Sequence, residues 1–135
     1  MKFVSRDLAI KLKEKGFDKP CFGYYYIETP TELIDGKLVL SRYYGRGGTF
    51  MDTLKRHDLP YTTSNLVDAP TIEQVLEWLR EEKDIMVFPV YSKNTSRWYC
   101  EIVNADSLES YKLPLSDSYE DAAIAGIEYV INNLI

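Results

Sequence analysis

Apolar residues recur along this chain with two different periods, and the changes between them divide it into elements. Leu8, Ala9 and Leu12 return at helical spacing. Ser5 stands where a side-chain cap would close the first turn, and Gly16 supplies the left-handed residue that ends such a helix. Phe17 is then placed to fold back on Leu12, the apolar contact of a Schellman ending. From Pro20 to Ile27 the run is apolar and aromatic, with Tyr24, Tyr25 and Tyr26 in series, which suits an extended strand.

The pattern breaks between residues 28 and 69. Pro30, Gly36, Gly45, Gly47, Gly48 and Pro60 punctuate this segment. Within it, Asp35-Gly36 reads as a turn before a short β-like run at Lys37–Tyr44, and Phe50, Met51 and Leu54 share a face that predicts a short helix over Thr49–Arg56.

Regularity returns at Pro70. Thr71 and Gln74 have capping-box spacing, and Ile72, Val75, Leu76 and Leu79 make one apolar stripe that runs to Lys83-Asp84. Ile85–Tyr91 reads as a largely buried strand in which Pro89, unable to donate to a ladder, implies an edge or a bulge. After the polar turn Ser92–Ser96, Trp98, Cys100 and Ile102 alternate with Tyr99, Glu101 and Val103 as a half-buried strand should, so the two strands form a hairpin. Asn104–Leu115 is a polar connection. Ser118 with Asp121 opens a last helix, whose stripe is Ala123, Ile127, Val130, Ile131 and Leu134.

These elements predict the α+β class: a single two-layer domain, 1–135, in which a mostly antiparallel sheet is packed by about three helices, N-terminal, central and C-terminal. The irregular glycine-containing segment 28–69 belongs to that domain. Length and composition agree, since 135 residues with 45% apolar and 27% charged can bury a core without a disulfide or structural metal.

Charge sharpens the picture. The net charge of −5 is unevenly placed: residues 1–67 carry 11 basic and 8 acidic side chains, residues 68–135 carry 5 and 13. An acidic second half is unsuited to nucleic acid, whose phosphates need clustered Lys and Arg, and serves solubility by default, with a basic partner as the other reading. The opening Met1–Asp7 meets an acid too early for a signal peptide, and Ile85–Tyr91 is far shorter than the roughly 18 residues of a membrane span. A cytoplasmic protein without a membrane partner is expected.

Candidate chemistry is sparse. Cys21 and Cys100 have no metal-ligand spacing and the one histidine, His57, is distant from both, so two reduced, buried thiols and no metal or cofactor are expected. His57 between Arg56 and Asp58 reads as a loop histidine, because catalytic partners meet in space and not in series. Glu73, Glu77 and Glu81 recur every four residues and read as a solvated helix face, with Glu77 paired to Arg80. The run Tyr43-Tyr44-Gly45-Arg46-Gly47-Gly48 has glycines that can present amides to an anion, but it fits neither the P-loop nor the dinucleotide pattern and reads as a flexible turn. Eleven tyrosines fit both a binding surface and a half-buried sheet.

Blocks of the chain carry a resemblance. Ser5, Ala9, Leu12–Asp18, Cys21 and Tyr24-Tyr25, then Ala69-Pro70-Thr71, Val75, Trp78–Glu81, the strand pair that follows, and Tyr119–Ala122 with Gly126, Ile127 and Leu134-Ile135 resemble a family of small proteins encoded by phages and prophages of gut Bacteroidetes. The segment 27–68 is longer than the family pattern. The resemblance implies an origin and a fold and carries over no site residue, since the family has no assigned activity.

The expected function is therefore a phage or prophage accessory protein, a non-enzymatic module that binds a host or phage protein, with a homo-oligomer compatible. The second reading is weak nucleic-acid binding through the basic Gly/Tyr segment 37–56, and the third, least supported, a small hydrolase. The candidate binding residues are Tyr43, Tyr44, Arg46, Lys55 and Arg56.

Overall fold

A computed structural model describes residues 2–26, 38–40 and 66–135. Their α+β class is as expected, with three helices and two antiparallel sheets. The strands divide between two three-stranded sheets, and the chain divides into two compact units, Phe3–Thr71 and Ile72–Ile135.

The first unit begins with helix α1 (Arg6–Glu14). Ser5 caps it, its Oγ accepting from the Leu8 amide at 3.2 Å. Gly16 takes a φ of +96°, and the amides of Gly16 and Phe17 donate to the Lys13 and Leu12 carbonyls, which is the predicted Schellman ending with Leu12 and Phe17 both buried. Strands β1 (Gly23–Tyr26), β2 (Leu38–Leu40) and β3 (Leu66–Ala69) pair in the order β2-β1-β3. β2 falls inside the predicted β-like run. β3 adds a strand that the reading of segment 28–69 did not place: Leu66–Ala69 pairs with β1 from Gly23↔Ala69 to Tyr26↔Leu66, burying Val67 and Ala69. Tyr25 is locked in place by its hydroxyl, which donates to the buried Val4 carbonyl at 2.7 Å.

The second unit is helix α2 (Ile72–Lys83), strands β4 (Ile85–Ser92), β5 (Arg97–Asn104) and β6 (Ser110–Lys112), and helix α3 (Tyr119–Asn133). The predicted stripe of α2 is buried, together with Trp78. Asp84, at φ +54°, alone separates α2 from β4, a conformation that aspartate tolerates better than most residues. The hairpin forms in the register Ile85↔Asn104 to Ser92↔Arg97, and β4 is an edge of the sheet β4-β5-β6, as Pro89 implied.

Two expectations are corrected here. β4 is not largely buried: Ile85 and Val87 are, whereas Phe88, on the opposite face, is 49% exposed, and Tyr91, on the face of Ile85 and Val87 but near the end of the strand, is 48% exposed. The polar connection Asn104–Leu115 contains β6, which pairs with β5 from Glu101↔Lys112 to Val103↔Ser110. Three residues with exposed Ser110 and Lys112 leave too little pattern to be read.

Ser118 caps α3 by accepting from the Asp121 amide at 3.0 Å, and Ala123, Ile127, Val130 and Ile131 are buried as predicted, with Leu134 half-buried. α3 packs on β4 and β5 and α2 packs on β4. Between β5 and β6 the turn carries Leu108 at φ +59° with 84% of its surface exposed. Such a leucine gains nothing from burial and bears the left-handed penalty, so Leu108→Asn is expected to raise stability by about 0.5–1 kcal/mol in urea titration.

Candidate functional site

Glu73, Leu76, Glu77 and Arg80 share a face of α2, since steps of three and four residues return to one side of a helix. That face meets Met86, Val87, Phe88 and Pro89 of β4, and Tyr119 closes one end. The result is a half-open groove of about 490 Å³, within the range of roughly 300–1,000 Å³ typical of ligand sites.

Tyr119 is fixed from two sides. Its hydroxyl donates to Glu73 Oε1 at 2.9 Å, and its ring stands edge-on to Trp98 with centroids 5.4 Å apart. Burial and then the Glu73 carboxylate push its pKa up to about 12, so it remains a neutral donor. Trp98 in turn leans on Tyr91, centroids 5.4 Å apart.

Glu77 and Arg80 were expected to pair, and they do not. Between described residues, ion pairs join Arg97 to Asp117 at 3.0 Å and Arg6 to Asp7 at 3.9 Å. Exposed pairs gain little over separate hydration, and both side chains border the groove with their charges uncompensated by each other. Glu73, Glu77 and Glu81 are all exposed, as a solvated helix face should be, and Glu73 and Glu77 border the groove as well.

The other candidates lie elsewhere. Tyr43, Tyr44, Arg46, Lys55 and Arg56, with His57, the Gly45–Gly48 run, the Asp35-Gly36 turn and the Thr49–Arg56 helix, are outside the described residues. Among the described residues no group of three or more His, Cys, Asp or Glu is placed to hold a metal ion, and no helix is long and apolar enough to cross a membrane. The tyrosines whose side chains are described divide between buried Tyr25, exposed Tyr91 and the half-buried Tyr24, Tyr99, Tyr111, Tyr119 and Tyr129.

Both cysteines are free and buried, as expected. Burial, and secondarily Asp68, pushes the Cys21 thiol far up, and burial pushes Cys100 up to about 11 against a smaller lowering by the Phe88 amide. Neither is poised as a nucleophile. The folded thiols keep their protons to higher pH than unfolded ones, so their contribution to stability is complete below about pH 9 and is lost as pH rises through about 11. We expect no thiol labelling of the native protein at pH 8 and two labels in denaturant, with the midpoint of urea unfolding falling between pH 9 and 11.

The sequence hides this groove because its two walls are separate elements. Pro89 was its one legible sign, marking an edge strand. Comparison of the chain with protein-family models, with curated proteins and with solved structures finds no match.

Proposed function

We propose that the protein is a non-enzymatic interaction module, an accessory protein of the phage and prophage kind that its sequence resembles, acting on a protein partner in the cytoplasm of a bacterial host. The observation that carries this reading is β4, an edge strand with Phe88 and Tyr91 each about half exposed. Aromatic residues on an unpaired strand edge are a liability in water and an asset in an interface, where their rigid rings give contact area at little entropic cost. Tyr91 is held against Trp98, which reduces that cost further.

The test is an affinity pull-down of tagged protein from host lysate, with and without nuclease, repeated with a Phe88→Ser/Tyr91→Ser variant. A partner retained after nuclease and lost with the variant is the expected result. Capture that is indifferent to the variant, or no capture, overturns the reading. Enrichment that vanishes with nuclease moves the function to the basic segment 37–56.

A further inference from the structure

We propose that the groove between α2 and the open edge of β4 takes an extended, basic segment of a partner polypeptide, which adds to the sheet as a strand beyond β4. This rests on the interaction reading above and names the class of partner.

The backbone of β4 is prepared for it. On β5, the Asn104 amide donates to the Glu109 carbonyl, the Leu113 amide donates to the Cys100 carbonyl, and Trp98 exchanges two bonds with Ser116. Residues 98, 100, 102 and 104 are thus committed to the β6 side. Because antiparallel ladders alternate, Tyr99, Glu101 and Val103 face β4 and bond Val90, Phe88 and Met86 in the observed register. The main chain of Ile85, Val87, Pro89 and Tyr91 is left pointing away from the sheet, and no strand among the described residues pairs with it. Pro89 fits this register because its missing N–H falls on the outer side. An incoming strand would find donors at Ile85, Val87 and Tyr91 and a carbonyl at each of the four positions.

Charge selects the occupant. Glu73, Glu77 and Arg80 give the groove one excess negative charge, and residues 72–135 carry 12 acidic against 5 basic side chains. A Lys or Arg on the added strand would reach Glu77, while an alternate apolar residue would lie on Leu76 and Phe88. A second copy of this chain is a poorer occupant. Paired through β4 it would oppose two acidic grooves, and each Pro89 would withhold a donor.

The probes are an eight-residue peptide of alternating Lys and Val, its Glu–Val counterpart, and the Lys–Val peptide N-methylated at alternate residues so that one backbone edge cannot donate. Binding to the whole protein is read by fluorescence anisotropy and by backbone amide shifts. The Lys–Val peptide is expected to bind and to shift the amides of Ile85, Val87 and Tyr91. The Glu–Val peptide, the N-methylated peptide and a Glu77→Lys variant should each weaken binding at least tenfold, whereas Glu128→Lys on α3 should not. No binding of Lys–Val peptide at about 1 mM, equal binding of the N-methylated form, or shifts confined to other residues overturns the proposal. Glu77→Lys also separates the two readings in the pull-down. A partner that survives it and is lost with Phe88→Ser/Tyr91→Ser removes the groove and leaves the interaction module standing.

Discussion

Replacing Gly126 by alanine is expected to destabilise the protein by about 2–3 kcal/mol, although alanine is the better helix former by about 1 kcal/mol. Gly126 lies mid-way along α3, where that helix crosses the hairpin. A β-carbon there would stand 2.7 Å from Val87 Cγ1 and closer still to Cys100 Sγ. Both neighbours are buried in the sheet, so neither can swing into solvent, and the helix must lift from β4 and β5. The conflict is local enough to be relieved by the neighbour. In a Cys100→Ala background, which removes the nearer atom, the same change should cost about 1 kcal/mol less. Urea denaturation of the four proteins measures both quantities. A Gly126→Ala protein as stable as its parent would mean that α3 and the hairpin are not in this close approach.

Ile102→Ala is expected to cost still more, about 3–4 kcal/mol, and Ile102→Val about 1 kcal/mol. Ile102 is fully buried on β5, the strand paired on both sides, opposite Val87 on β4 and Tyr111 on β6. Two features prevent collapse around a shortened side chain. The ladders fix the backbone of all three strands, and the close packing of Gly126 against the same face fixes α3 above them. A cavity would remain and add its own term to the lost transfer energy. Ile102→Thr, which keeps the shape of valine but buries a hydroxyl, should fall between the two. The ordering alanine, threonine, valine in denaturant midpoint is the observable.

What could be read from the sequence and what could not differ in how far the information lies from the residue. Ser5, Gly16 and Ser118 act within three to five residues of themselves, and their caps form as their spacing predicts. The stripes of α2 and α3 and the alternation of β5 are periodic over several turns or pleats, so each declares its buried face. β3 and β6 have four and three residues. They are strands because β1 and β5 offer them an edge, and nothing inside such short segments encodes that. The division of the strands into two sheets is a property of pairing and is equally silent in the sequence. For the site, the glutamates at every fourth position were visible but their meaning was not. Glu73 and Glu77 border a groove only because the fold brings Phe88 and Tyr119 beside them. The Glu77–Arg80 pair failed because spacing permits a contact without making it favourable in water.

The way the two units are strung along the chain bears on when each can form. In the second unit, α2 passes into β4 through the single residue Asp84, and β4 returns as β5 through the turn Lys93–Ser96. Its pairings therefore close small loops. In the first unit, β1 must find β3, joining Tyr26 to Leu66 across the whole segment between them. Closing a long loop has a larger entropic cost before any contact rewards it, and topology of this kind slows folding. The hairpin with its helices is thus expected to assemble ahead of the β2-β1-β3 sheet. During synthesis the order of appearance is the reverse: α1 and β1 leave the ribosome first and wait for β3, which emerges just ahead of the unit that folds faster.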